Sequence, residues 1–154
     1  MIPVAIALGS NLGDRQRHLR EAAVHLSEYV TGLRVSTFHD TAPVGVGPQP
    51  RFLNAAAAGD TALSPRALLE ALLAVERACG RERPFAGAPH TLDLDLILYG
   101  DAIISEPGLV VPHPRFRERR FVLAPLAEIA PEWIDPVTRL TVGTLLERLS
   151  NCEL

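Results

Sequence analysis

The sequence predicts an α+β sandwich, with helices packed on one mostly antiparallel sheet. Three observations carry that expectation. Short apolar runs with strand character recur along the chain. Two or three helical patterns, each with one apolar face, are interleaved with them. Turn residues close several of the runs, and Gly100-Asp101 is placed for a tight hairpin turn.

Val4 to Leu8 is a short apolar run ended by Gly9-Ser10-Asn11, a buried strand followed by a turn. The N-terminus carries no basic leader, so it reads as this strand and not as a signal peptide. Asp14 precedes a helical pattern with Leu19, Ala22, Ala23 and Leu26 on one face. Leu33 to Phe38 alternates and is rich in β-formers, a second strand. Thr41 to Pro50 holds three prolines and two glycines and is read as a loop. Phe52 to Ala58 is a third strand, although alanine is a poor strand former.

Ser64-Pro65 starts a helix, with serine capping and proline at the first helical position. Leu68, Leu69, Leu72 and Val75 form its apolar stripe and Gly80 stops it. Thr91 to Tyr99 is the strongest strand pattern, expected to pair through Gly100-Asp101 with Ala102 to Ile104. Arg115 to Ala130 reads as a helix interrupted near Pro125, and Thr141 to Leu149 as a short amphipathic helix. No repeat or linker is evident, so residues 1–154 are expected to form a single domain.

Composition excludes several classes. Hydrophobic residues make up 47% of the chain, which suits a globular core. No apolar run approaches the roughly 20 residues a membrane-spanning helix needs. Cys79 and Cys152 form neither a disulfide framework nor a zinc motif, and the expected compartment is the reducing cytosol. The net charge of −3 argues against general nucleic-acid binding. All 15 basic residues are arginine. A phosphate-loop NTPase or a Schiff-base enzyme needs a lysine, so both are excluded. Any anion must be held by planar, permanently charged guanidinium groups.

Two acids interrupt the strongest strand. Alternation puts Leu92, Leu94, Leu96 and Leu98 toward the core, and Thr91, Asp93, Asp95, Ile97 and Tyr99 on the other face. Asp93 and Asp95 are then two residues apart on one face, within reach of a shared cation. Mg²⁺ suits them, since it takes hard oxygen ligands and completes its shell with water and substrate phosphates. Alone, such a pair on an open face is simply solvated. Here Arg77, Arg81 and Arg83 precede the strand, and Arg115, Arg117, Arg119 and Arg120 follow its hairpin. Acids that hold a metal, bracketed by guanidiniums that hold the remaining phosphate oxygens, form the layout of a phosphoryl-transfer site.

The same residues carry a resemblance. "HTLDLDLILYG" with "RER" before it, "VPHPRFRERRFVLAPLAEIAP" after it, "ALGSNLGDR" at the start and "FLNAA" between them occur in order and at matching spacing from about Val4 to Pro131. Together they resemble the 6-hydroxymethyl-7,8-dihydropterin pyrophosphokinases of the folate pathway. The resemblance implies a ferredoxin-like α+β fold. It implies transfer of the β,γ-diphosphate of ATP to the pterin hydroxymethyl group, with release of AMP and two Mg²⁺ ions held by Asp93 and Asp95. Positioning would dominate that chemistry, and no nucleophilic side chain is needed.

Further roles are likewise implied by the resemblance. Phe52 and Phe121 match two aromatics that stack on the pterin, whereas the residues alone read as core packing. Asn54 matches an amide that pairs with the pterin edge, and a buried amide needs partners. Thr41, Pro43 and Val44 match a contributing loop. Arg81, Arg83, His113 and Arg119 match phosphate contacts, Arg81 and Arg83 with a catalytic part. Glu76 matches an acid near the nucleotide, and Leu96 backbone that reads the adenine edge. Gly9, Ser10 and Asn11 support the floor of the pterin pocket. His90 stands where the family usually has an arginine that touches triphosphate. The loops Thr41 to Arg51 and Glu82 to His90 are expected to close over bound substrates. His18, His25 and His39 carry no motif and are read as surface residues.

Two other readings are weighed. A Mg-dependent nuclease or nucleotidyl transferase could use the Asp93/Asp95 pair, but no basic groove accompanies it. A non-catalytic ferredoxin-like binding module would leave both acids surplus. The expected partners are therefore ATP and the hydroxymethyldihydropterin, with no nucleic acid, no membrane and a monomeric protein.

Overall fold

Apolar periodicity places most elements close to where they form. The computed structural model describes residues 1–41, 51–80 and 92–152. The first half contains β1 (Ile2–Ser10), α1 (Arg15–Leu26), β2 (Thr31–Val35), β3 (His39–Thr41), β4 (Phe52–Thr61) and α2 (Pro65–Gly80). Then come β5 (Asp93–Tyr99), β6 (Ile104–Glu106), β7 (Leu109–Val111), a 3₁₀ turn at Phe116–Glu118, α3 (Arg120–Ile129) and α4 (Val142–Cys152). The helix starts follow the capping residues. Asp14 accepts from Arg17 N at 3.2 Å, and Ser64 Oγ from Ala67 N at 3.2 Å. Each such cap stabilises by about 1 kcal/mol.

The main sheet runs β2-β4-β1-β5, with β3 also on β4, and every pairing is antiparallel. The chain thus builds β1-α1-β2-β4-α2-β5 with the first and third long strands central, which is the ferredoxin-like arrangement. The two sheet faces differ in side-chain size. Val4, Ile6, Leu8, Leu53, Leu94 and Leu96 pack on α1 and α2 through Leu19, Leu26, Leu68 and Leu72. Ala5, Ala7 and Ala56 face the second layer, Val122, Leu123 and Leu126 of α3 with Val142 and Leu145 of α4. These alanines explain why β4 is a strand despite its poor propensity. They let α3 approach the sheet closely, and burial there outweighs propensity.

Gly59 sits where β4 crosses under Val30. A Cβ there would lie 2.6 Å from Val30 Cγ1 and 2.8 Å from the Thr31 carbonyl oxygen. Gly59→Ala is therefore expected to destabilise by about 1–3 kcal/mol, since the backbone oxygen cannot swing aside. A thermal melt reads this directly. An unchanged melting temperature would mean that β2 yields freely.

Three expectations are corrected. Ala102 to Ile104 do not pair with β5. Gly100 N still donates to the Pro3 carbonyl of β1 at 2.7 Å, so the turn there finishes one ladder without starting another. The hairpin forms one step later, between β6 and β7 around Pro107-Gly108, with Gly108 at φ 75°. Second, the alternation on β5 breaks. Ala5 opposes Leu98 and Ile6 opposes Leu96, so Ile97 is an extra, bulged residue. Leu98 therefore joins Ile97 in the α3/α4 core, while Tyr99 turns to the α1/α2 side and donates to the Leu63 carbonyl at 2.7 Å. Third, α3 does not break at Pro125, which is buried inside it. The interruption lies at Arg119, whose extended backbone separates the 3₁₀ turn from α3. Packing of Val122, Leu123 and Leu126 on the sheet compensates the single amide hydrogen that proline lacks.

Candidate active site

Antiparallel register gathers the candidate residues. Asp93 of β5 lies opposite Gly9 of β1, Gly9 opposite Asn54 of β4, and Asn54 opposite His39 of β3. One row below, Asp95 lies opposite Ala7 and Ala7 opposite Ala56. Directly paired residues share a face, and Ala7 and Ala56 belong to the α3 side, so both rows do. Asp93 and Asn54 are two strands apart, roughly 10 Å. Only Gly9 separates them. A Cβ on it would lie 3.2 Å from Asn54 Oδ1, so glycine keeps this floor low.

The acids occupy the edge strand at the end of the described sheet. Both are half-buried, unlike loop acids turned into bulk water. The segment after β7 brings the opposing charge. His113 N donates to the carbonyl of the bulged Ile97 at 3.0 Å, which ties this segment to β5. The His113 Nδ1 accepts from Arg115 N at 3.2 Å, so the neutral ring carries its proton on Nε2 as a donor. Burial holds the imidazole below its ordinary pKa. Asp95 opposes that, and Arg119 and Arg115 reinforce it. His113, Asp95, Arg115 and Arg119 thus share one electrostatic neighbourhood.

Arg119 also lies over the ring of Phe121, 5.6 Å from its centroid, at the N-terminal end of α3. A helix N-terminus beside a guanidinium favours an anion. Phe121 is 39% exposed and Phe52 is half-buried, so neither is a core residue; Phe116 fills that role, fully buried. Phe52 shares the face of Asn54 by alternation along β4, the same side from which α3 presents its first turn.

At the opposite end of the row, Asn54 is 5% exposed and donates Nδ2–H to Thr41 Oγ1 at 2.7 Å. Ser10 and Asn11 are buried beside it at the end of β1. Glu76 of α2 accepts from Leu94 N at 2.7 Å, holding the outer edge of β5. Leu96 buries its side chain in the α1/α2 core and offers only backbone at that edge.

Some expectations are met differently. Of the four arginines after the hairpin, Arg117 is committed elsewhere: it forks onto buried Asp135 at 2.5 and 3.0 Å. Arg120 donates to Ser150 Oγ at 2.8 Å. Arg115 and Arg119 remain near His113, whose charge Asp95 also influences. His39, partly exposed, also bonds the Glu128 carboxylate, and His18 lies 3.3 Å from Ser10 Oγ. Sequence reasoning also missed Asp40, bound by Arg15 at 3.2 Å and Arg51 at 2.8 Å. Arg15 and then Arg51 hold its carboxyl below the usual range. Nothing in local periodicity announces partners 25 residues apart. Pro43, Val44, Arg81, Arg83 and His90 lie outside the described residues. So do both proposed closing loops, apart from their ends at Thr41 and Arg51.

The chain is similar to known proteins of one family. The family model described as 7,8-dihydro-6-hydroxymethylpterin-pyrophosphokinase matches residues 5–131. The chain belongs to that family. A pyrophosphokinase of Bacillus subtilis, named for 2-amino-4-hydroxy-6-hydroxymethyldihydropteridine, is 46% identical over 129 residues, 82% of this chain and 77% of the relative. A bifunctional mitochondrial folate-synthesis protein of Arabidopsis thaliana is 45% identical over 133 residues, 86% of this chain but only 24% of that protein. Among solved structures, wild-type HPPK-DHPS of Plasmodium falciparum superposes with a TM-score of 0.75 at 14% identity. It covers 96% of this chain and 44% of that one, a likeness of fold. Membership of the pyrophosphokinase family makes the chain an ATP-dependent diphosphokinase and does not favour the nuclease or nucleotidyl-transferase reading.

Proposed function

We propose that this site transfers the β,γ-diphosphate of ATP to 6-hydroxymethyl-7,8-dihydropterin, releasing AMP, in folate biosynthesis. The observation that carries the reading is the row Asp93–Gly9–Asn54, which sets an acid pair and a buried amide on one low floor. Asn54, with Thr41, takes the pterin edge, and Phe52 and Phe121 take its ring faces. The pterin hydroxymethyl group would then point along the row toward Asp93 and Asp95. Arg119 and the His113 Nε2–H face phosphate oxygens there. Arg81 and Arg83 extend the anion site by resemblance, as do Pro43 and Val44 the pterin pocket, and His90 compensates in part for the arginine usual in the family. Glu76 and the Leu96 backbone border the nucleotide.

Asp93 and Asp95 suit two Mg²⁺ ions. Among the described residues no group of three or more His, Cys, Asp or Glu is placed to hold a metal. Mg²⁺ is commonly bound by one or two carboxylates and completed by substrate phosphates. When bound, such ions neutralise charge that builds on the phosphates. The chain's own part is to align the acceptor hydroxyl with the β-phosphorus and to receive charge on guanidiniums that need no reorganisation. No described helix is long and apolar enough to cross a membrane. A monomer acting in the cytosol on small molecules alone completes the proposal.

Product analysis tests it. The protein, ATP, Mg²⁺ and the hydroxymethyldihydropterin are expected to give AMP in a pterin-dependent reaction. ADP would mean single phosphoryl transfer, and no pterin-dependent nucleotide product would sink the reading.

A further inference from the structure

One carboxylate far from the acid pair has a role that the chemistry above does not use. Glu128 lies seven residues, about two turns, beyond Phe121 on α3, so the two share a side of that helix. Its carboxylate receives Thr37 N at 2.9 Å and Thr37 Oγ1 at 2.8 Å. It also bonds His39 Nε2. Burial alone would raise the Glu128 pKa, but the bonds from Thr37 and His39 outweigh it and hold the carboxylate ionised. Three donors from the segment leading into β3 thus converge on one anion of α3.

That segment needs an anchor. β3 has three residues and pairs only with β4. A ladder so short has little stability of its own. Yet β3 meets Asn54 twice, once along the backbone ladder and once at its amide. His39 is its cross-strand partner, and Thr41, two residues on, accepts its Nδ2–H. The bond to Thr41 fixes the rotation of the amide plane, and so where its remaining hydrogen-bonding groups are aimed. An amide that must match a heterocycle's pattern of donors and acceptors works in one orientation only.

We propose that Glu128, through Thr37 and His39, is a positioning residue that sets the orientation of the Asn54 amide and thereby selects the pterin. This rests on the placement of the pterin at Asn54. The phosphate end of the site lies on β5 and the segment after β7, neither of which Glu128 is seen to bond. The clamp should therefore govern one substrate and leave the other alone.

The test is a split in Michaelis constants, read together with direct binding of the hydroxymethyldihydropterin in the absence of ATP. Glu128→Ala is expected to weaken pterin binding about tenfold, the loss of bonds to a charged acceptor. The KM for ATP should stay within about twofold. Glu128→Gln, which keeps an acceptor for Thr37 N, should recover part of the loss, and Thr37→Val should show a smaller loss of the same kind. In an Asn54→Ala background, Glu128→Ala should add nothing, because it acts through that amide. Additive losses, or a parallel rise in both KM values, overturn the clamp. If Asn54→Ala itself leaves pterin binding intact, the placement of the pterin fails and the clamp falls with it. If Glu128→Ala does not fold, Glu128→Gln and Thr37→Val decide by the same split.

Discussion

Asp95→Asn is expected to lower the rate of diphosphate transfer on the order of a thousandfold while leaving the fold intact. Asparagine has the same shape, so the pairing of β5 with β1 at Ala7 is undisturbed. What goes is one of the two carboxylates offered to Mg²⁺, and with it the charge that opposes Arg115 and Arg119 at His113. Two readouts separate these roles. The Mg²⁺ concentration for half-maximal rate should rise, and the His113 pKa should fall further, since Asp95 is the group that raises it. The shift follows from the sign of the interaction alone. A variant with full activity at ordinary Mg²⁺ would show that Asp95 is a solvated acid and that the pair is not a metal site.

The largest stability effect is expected at Asp135. Its carboxylate is fully buried, forked by Arg117, and also bonded by Val137 N at 3.1 Å and Thr138 Oγ1 at 2.7 Å. Asp135→Ala leaves four donors from three residues without their acceptor, two of them on a charged guanidinium. A loss of about 3–5 kcal/mol is expected, the range for breaking one side of a buried pair. For a chain of this size that corresponds to a fall in melting temperature of roughly 10 °C. The pH dependence has a defined sign. Burial raises the Asp135 pKa, but the bonds from Arg117, Thr138 and Val137 lower it more, and the net shift is downward. The stabilisation is therefore present above the unfolded carboxyl range, near pH 4, and is lost as pH falls through the lower folded value. An Asp135→Ala protein that melts like the parent would show that water replaces all four bonds without cost.

These two residues also mark what sequence reading reaches. Asp93 and Asp95 stood out because strand periodicity is local: acids two apart in an apolar run are conspicuous wherever the strand lies. Asp135 was invisible, since its meaning comes from an arginine 18 residues away, across a helix. Sequence groups that arginine with the phosphate-binding cluster, because sequence shows charge and not direction. The bulge at Ile97 escaped for a related reason. Alternation assumes an unbroken ladder, whereas the break is set by pairing with Ala5 and Ile6 some 90 residues earlier. Asn54 was legible as an amide among alanines, but its tie to Thr41, and beyond it to Glu128, depends on three elements meeting.

The order in which the layers appear along the chain has a consequence for how the protein matures. β1, α1, β2, β4, α2 and β5 supply most of one apolar core, which β7 completes with Leu109 and Val111, and all six lie before residue 100. His113, Arg119 and Phe121 belong to the segment and layer added afterwards. During synthesis the sheet can therefore close on α1 and α2 while its alanine face still waits for a cover. An emerging chain would possess the acid pair and the amide before it possessed the groups that face them across the site. Competence for catalysis arrives last, with the docking of α3, so a nascent protein is shaped well before it is able to spend ATP.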